Sequence, residues 1–197
     1  MASYEKPKER IADALIERSG VIAEADVLGV INTEDPVYRS RAETWVKGNE
    51  GLIRKFRERP LSERERSALF GSAFHLIENL PEYQSRPERA LSPERPLLRD
   101  LRLAVGEGLE LASDEDLERV SAYTTVGSVV DRALGIDGFL RINSKNRAEP
   151  PVYVTFDYTI NQDKNRTPAD VLIKRLPDPD SAEAEYVKAV DYAGAEV

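Results

Sequence analysis

Apolar residues recur at helical spacing through most of the first half of the chain. Ile11, Leu15 and Ile16 form the first such pattern, which ends at Gly20. A second short helix is expected from Ala23, where the apolar spacing resumes. The first half of the chain is therefore predicted to be largely helical.

Two longer helices are predicted next. Asp35 followed by Pro36 is typical of a helix start, with a capping side chain and proline in the first turn. Gly48 and Gly51 lie inside the pattern that follows, which leaves open whether it is one helix or two. Ser62 then begins a capping-box pattern, and the helix after it is expected to run to about residue 79.

A proline-rich stretch interrupts the helical pattern at residues 81–96, which contain four prolines. We interpret it as a linker or an irregular wrapping segment and place the domain boundary at its end. This gives a helical region, 1–96, and an α/β unit, 97–197. Arginines cluster here and just beyond, interleaved with glutamates, which favours a solvated surface over a phosphate-binding one: Arg86, Arg89, Arg95, Arg99 and Arg102.

The second half changes from helical to alternating patterns. Helices are expected at 96–112 and 113–134, the second with an acidic first turn and a glycine cap at Gly135. Strands are expected at 135–142, 152–160 and 169–174, and a short amphipathic helix at 181–192. The predicted fold class is α/β (α+β): a helical N-terminal half followed by a small mixed β-sheet flanked by helices.

Two aspartates occupy mirror positions in the hairpin formed by the first two of these strands. If the hairpin folds symmetrically about Arg147, Asp137 and Asp157 face each other. Side chains directly opposite on one face lie about 5 Å apart at Cβ, and two carboxylates that close repel unless a cation or a proton lies between them. The pair is therefore a candidate site for Mg²⁺ or Mn²⁺, which prefer oxygen ligands. A simpler alternative is that Asp157 forms a surface ion pair with Arg141.

The composition limits which kinds of catalytic and metal-binding site the chain can form. The 197 residues include no cysteine and one histidine, which excludes disulfides, thiolate nucleophiles and cysteine-based zinc sites. His75 lies in an apolar helical stretch and is interpreted as a packing or surface residue. No apolar run is long enough for a membrane span and no secretory signal is apparent, so we expect a cytoplasmic protein without a membrane partner.

Other charged residues near the hairpin complete the predicted site. Glu115, Glu118 and Asp131 precede it, and spacing does not decide which of them reaches the aspartate pair. We take Glu118 as the further acid, because it lies where a helix could cross over the sheet. Lys164 follows the second strand and is the predicted positioning cation for a phosphate or an attacking water.

These residues resemble a known family. The Gly-Ile-Asp-Gly-Phe strand, the hairpin, the Val-Thr-Phe-Asp-Tyr-Thr strand and a following basic residue resemble the PD-(D/E)XK nuclease superfamily, over roughly residues 113–192. The resemblance implies a restriction-endonuclease-like fold, with Asp137 as the first metal-binding aspartate and Asp157 as the acid of the second motif. The family's lysine usually lies two residues after that acid, where this chain has Thr159, and Lys164 would replace it from the next turn.

The expected function is therefore a metal-dependent endonuclease acting on nucleic acid, with the helical half presenting substrate or mediating self-association. The competing hypothesis is a non-enzymatic protein that binds another protein, such as an accessory factor of a phage or mobile element, including one with an inactive nuclease-like fold. The net charge of −8 and the missing orthodox lysine support this alternative, because phosphate contacts dominate nucleic-acid affinity.

Overall fold

A four-stranded mixed sheet carries helices on both of its faces. The computed structural model describes residues 24–111, 113–146, 148–159, 161, 163–174 and 183–195, so the helix predicted around Ile11 lies outside the described residues. The described helices are α1 (Glu24–Leu28), α2 (Pro36–Glu58), α3 (Glu63–Glu78), α4 (Pro81–Gln84), α5 (Glu88–Leu91), α6 (Pro96–Gly108), α7 (Asp114–Leu117), α8 (Val129–Leu134) and α9 (Glu183–Ala195). The strands are β1 (Val120–Thr124), β2 (Gly138–Ile142), β3 (Val152–Thr159) and β4 (Val171–Lys174).

The strands lie in the order β1-β2-β3-β4. The pairs β1/β2 and β2/β3 are antiparallel, whereas β3 and β4 are parallel. In the β2/β3 hairpin Gly138 pairs with Phe156 and Ile142 with Val152, which confirms the register predicted from symmetry. The prediction of a mixed sheet flanked by helices is confirmed as well, and the sheet has one more strand than predicted.

Each face of the sheet buries its own apolar cluster. On one face, α1, α6 and α9 pack on alternate strand residues such as Leu140 and Phe156. On the other face, α2, α3 and α8 pack on the intervening residues. The Phe74 ring is stacked 4.5 Å from Tyr153 and lies tilted at 4.6 Å from Phe139. Helices from both sides of the boundary predicted after residue 96 thus cover the same sheet, and the division into two domains stays a prediction.

The ends of α2 and α3 follow the predicted capping chemistry. The Asp35 carboxylate accepts the N–H groups of Val37 and Tyr38, which α2 leaves without helical partners. At α3, Ser62 and Glu65 form the reciprocal capping box. Gly48 and Gly51 do not split α2, because its 23 residues form one helix.

The helix predicted over residues 113–134 is wrong. The structure has the short helix α7, then β1, then α8 over this range. All five residues of β1 are buried, since helices cover both sheet faces there. A strand buried on both faces lacks the alternation of apolar and polar residues that identifies a half-exposed strand. Its β-branched and aromatic residues, such as Val120, Tyr123 and Thr124, suit a strand nonetheless.

The proline-rich segment is a packed part of the fold. It contains α4 and α5 and buries Tyr83 and Ala90. The Tyr83 ring meets Tyr123 edge-on at 5.0 Å, and its hydroxyl accepts the N–H of Thr124. The segment therefore wraps the end of β1, which agrees with the wrapping interpretation and not with a flexible linker. None of the described helices combines the length and the apolar character that crossing a bilayer requires.

Candidate functional site

Asp137 lies at the point where the chain enters β2. Its N–H donates to the Phe156 carbonyl at 2.9 Å, and its own carbonyl accepts the N–H of Thr125 at 2.8 Å. Its carboxylate Oδ2 accepts the N–H of Tyr158 at 2.6 Å. Since that nitrogen belongs to the peptide joining Asp157 to Tyr158, the two predicted metal ligands lie side by side at one end of the β2/β3 ladder.

Asp157 is buried, and its carboxylate contacts a lysine. The residue is 2% exposed, and it alternates with Phe156 and Tyr158, which pack on the α6/α9 face. Its side chain therefore points to the opposite face, where α8 lies. Lys164 Nζ lies 2.6 Å from Oδ2 of Asp157, in an ion pair without the alignment of a hydrogen bond. The structure thus brings Lys164 to Asp157 from the segment that follows β3.

Asp131 is the third acid of this region. Its Oδ2 accepts the N–H of Gly127 at 2.9 Å, at the turn that begins α8. Burial raises the pKa of Asp131, and the negative charge of Asp157 raises it further, whereas the Gly127 hydrogen bond and the charges of Arg132 and Lys164 oppose the rise. Asp131 is therefore in electrostatic contact with the Asp157–Lys164 pair. We refer to Asp131, Asp137, Asp157 and Lys164 as the Asp–Lys cluster.

Glu118 lies away from this cluster. It is the C-cap residue of α7, two residues before β1, at the end of the sheet where Val120 pairs with Ile142. The cluster lies at the other end, beyond the Thr124–Gly138 pair. At about 3.3 Å per strand residue the two ends are roughly 15–20 Å apart. The expected approach of Glu118 to the aspartates is wrong because the helix that was to carry it over the sheet is strand β1.

The ion pair suggested as an alternative, Asp157 with Arg141, does not form. Arg141 instead faces Glu78 of α3, with Nε and Oε1 3.8 Å apart. Burial raises the pKa of Glu78, and the nearby Arg141 charge partly opposes this. The cation at Asp157 is Lys164, the positioning cation that the sequence predicts.

Gly138, the residue after Asp137, is tightly packed within the sheet. A Cβ atom built there would lie 2.3 Å from the Phe156 ring and 2.6 Å from the Tyr123 carbonyl oxygen. The space beside Asp137 is therefore filled by protein on that side. Glycine is needed here for close packing within the sheet and not for the approach of a ligand.

A second polar network fixes the segment that carries Lys164. The Asp170 carboxylate accepts the N–H and the hydroxyl of Thr155 at 2.8 and 2.7 Å, and it pairs with Arg66 of α3 at 3.1 Å. Arg66 also donates to the Pro168 carbonyl. Both ends of the 163–170 segment are thus tied down, one by Lys164 on Asp157 and one by Asp170 on β3. Sequence reasoning missed the two Arg66 contacts, because they join residues about a hundred positions apart.

The cluster offers carboxylate oxygens, which suit a hard divalent cation. Asp137 and Asp157 are the two residues that could hold such an ion, with Asp131 as a further acid nearby. Within the described part of the chain, no group of three or more histidine, cysteine, aspartate or glutamate side chains is already arranged around a common metal position. Comparison of the chain with protein-family models, curated proteins and solved structures found no match.

Proposed function

We propose that this chain is a metal-dependent nuclease that hydrolyses phosphodiester bonds in nucleic acid, with Asp137 and Asp157 as the ligands of Mg²⁺ or Mn²⁺. The observation that carries the proposal is the contact of Lys164 with the buried carboxylate of Asp157, next to the carboxylate of Asp137. Buried charges are costly unless they are paired. Two aspartates and a lysine brought to one strand end are therefore more readily explained by chemistry than by stability.

The residues have distinct roles in this proposal. A divalent ion bound by Asp137 and Asp157 would supply Lewis-acid activation of water and of the phosphate. Lys164 holds a cationic ammonium beside Asp157, where it orients a phosphate oxygen. Asp131 has a raised pKa, and the charges of Asp157 and Lys164 act on it, which makes it the proposed acceptor of the proton from the attacking water.

The sheet supports a restriction-endonuclease-like fold in part. Such a core consists of a helix, three strands, a helix and a further strand. Here the short helix α7 precedes the four strands, and β4 joins β3 in parallel. The chain departs from the order because α8 lies between β1 and β2, and the described residues between β3 and β4 form no helix. The likeness in fold is thus part of the proposal.

One observation favours the inactive alternative. The ammonium of Lys164 already neutralises Asp157, and one oxygen of Asp137 already accepts the Tyr158 N–H. A fold that needs no metal could use the same contacts to fasten the 163–170 segment to the sheet. The chain would then be a protein-binding or assembly factor with a nuclease-like sheet.

An assay of cleavage by purified protein distinguishes the nuclease from the inactive alternative. Labelled duplex DNA, single-stranded DNA and RNA are incubated with the chain in Mg²⁺, in Mn²⁺ and in EDTA. We expect cleavage to require the divalent ion. Asp157→Asn and Asp137→Asn should each reduce the cleavage rate at least a hundredfold. Asp163→Asn is the matched control, since Asp163 is an exposed acid of the same segment. Absence of cleavage on every substrate, or equal cleavage by wild type and Asp157→Asn, would overturn the proposal.

A further inference from the structure

A basic corner joins α2 to α3. Residues 54–66, which we call the basic corner, contain six basic and three acidic side chains, in a chain whose net charge is −8. The corner comprises the last turn of α2, the connection and the first turn of α3. Residues 1–60 as a whole carry 11 basic and 11 acidic side chains, so the positive excess is local to this stretch.

The basic corner contacts two of the segments that carry the Asp–Lys cluster. Arg57 donates to the Arg132 carbonyl at 3.5 Å, and Arg132 follows Asp131 on α8. Arg66 donates to the Pro168 carbonyl at 3.2 Å, in the segment that contains Lys164. The corner is therefore adjacent to the cluster on two sides, although it is far from it in sequence.

Among the described residues, part of the positive charge at and beside this corner has no acidic partner. Lys55 and Arg59 pair with Glu65, and Arg66 pairs with Asp170. None of the ion pairs among the described residues involves the guanidinium of Arg57 or Arg132, and both residues are exposed. These two guanidinium groups can bind an anion without first breaking an ion pair.

We infer that Arg57 and Arg132 bind the phosphate backbone of a nucleic-acid strand that runs from the basic corner to the Asp–Lys cluster. The inference rests on the proposed function, because that function defines the substrate as nucleic acid. Arginine is suited to this contact, since its planar guanidinium binds phosphate in a bidentate manner. A phosphodiester chain repeats its charge, so one strand can contact both arginines and still present a phosphate to Lys164. A single acidic side chain of a protein partner would not make these contacts together.

Binding is measured without cleavage, by fluorescence anisotropy of end-labelled duplex and single-stranded oligonucleotides in EDTA. We compare wild type with Arg57→Ala/Arg132→Ala, with the charge-retaining Arg57→Lys/Arg132→Lys and with Arg86→Ala/Lys145→Ala. The last is the matched control, because Arg86 and Lys145 are exposed and lie outside the basic corner. Loss of two phosphate contacts lowers the slope of log K against log salt by about 1.8 for duplex DNA, which corresponds to roughly 60-fold weaker binding at 0.1 M salt.

The outcomes for binding and for cleavage are separable. The inference holds if the alanine pair weakens binding and flattens the salt slope, the lysine pair keeps the salt slope of wild type, and the control binds within about threefold of wild type. It is overturned if wild type binds no oligonucleotide, or if the corner and control variants weaken binding equally. Salt-dependent binding through the two arginines without cleavage in Mg²⁺ would leave this inference standing and remove the nuclease. If the alanine pair cleaves as fast as wild type, the nuclease proposal stands and this inference fails.

Discussion

Removal of Lys164 is the sharpest perturbation of the Asp–Lys cluster. The ammonium lies 2.6 Å from a carboxylate that is 3% exposed, while the lysine side chain itself is 36% exposed. At an effective dielectric constant of 20, two charges at this distance attract by about 6 kcal/mol. Most of that attraction offsets the desolvation of the two charges. Removing one partner of a fully buried pair costs about 3–5 kcal/mol. Because water reaches the lysine side chain, we expect Lys164→Ala to lower the free energy of unfolding by about 2 kcal/mol.

The assay is urea unfolding at pH 7 in EDTA, with Asp157→Asn and the double variant completing a thermodynamic cycle. Once asparagine replaces Asp157, removal of Lys164 no longer leaves a buried carboxylate unpaired. Lys164→Ala should therefore lower the free energy of unfolding only slightly in the Asp157→Asn background. The coupling free energy should therefore be about 1–2 kcal/mol. A coupling below about 0.3 kcal/mol would refute the view that the lysine compensates the buried charge.

Mg²⁺ then tests whether the same carboxylate binds metal. A ligand at ten times its dissociation constant stabilises the folded state by about 1.4 kcal/mol. We expect Mg²⁺ to stabilise Lys164→Ala by at least this amount at such a concentration, since the ion replaces the missing cation, and to leave Asp157→Asn unchanged. Equal stabilisation of both variants would place the ion elsewhere.

Three further predictions concern the surroundings of the cluster. Ser62→Ala removes the capping box of α3 and should lower the free energy of unfolding by about 1 kcal/mol in urea, whereas Ser62→Thr should change it little. Gly138→Ala forces a methyl group against the Phe156 ring and should cost about 1–3 kcal/mol; a neutral result would contradict the packing described. Because burial raises the pKa of Asp131, its carboxylate opposes folding at neutral pH and that opposition disappears as the pH falls below the unfolded value. Asp131→Asn should therefore be more stable than wild type at pH 7 and equal to it near pH 3, as read from melting temperatures across pH.

Local chemistry explains which parts of the fold the sequence could predict. The starts of α2 and α3 were predictable because Asp35 and Ser62 satisfy helix N–H groups within three residues of themselves. The β2/β3 register was predictable because alternation and the turn fix it together, and a shift of one residue would exchange the two faces.

The parts that could not be predicted depend on contacts distant in sequence. β1 is a strand because it pairs with β2 and is buried on both faces, and neither condition is visible in a local pattern. The burial of Asp157 has the same origin, since the helices that cover its face of the sheet lie outside the hairpin in sequence.

The candidate site was predicted in part for the same reason. Asp137, Asp157 and Lys164 come together because all three lie within or next to one hairpin and its exit. Glu118 was chosen over Asp131 because both were assigned to one continuous helix. The strand that interrupts that helix leaves Asp131 beside the aspartates and places Glu118 at the other end of the sheet.

The most direct measurement of the central claim is a crystal structure of the chain soaked in Mn²⁺, read from the anomalous difference map. We expect one strong peak about 2.0–2.3 Å from carboxylate oxygens of both Asp137 and Asp157, with the Lys164 ammonium moved away from Asp157. A map without a peak at these oxygens, with Lys164 still in contact with Asp157 at millimolar Mn²⁺, would contradict it.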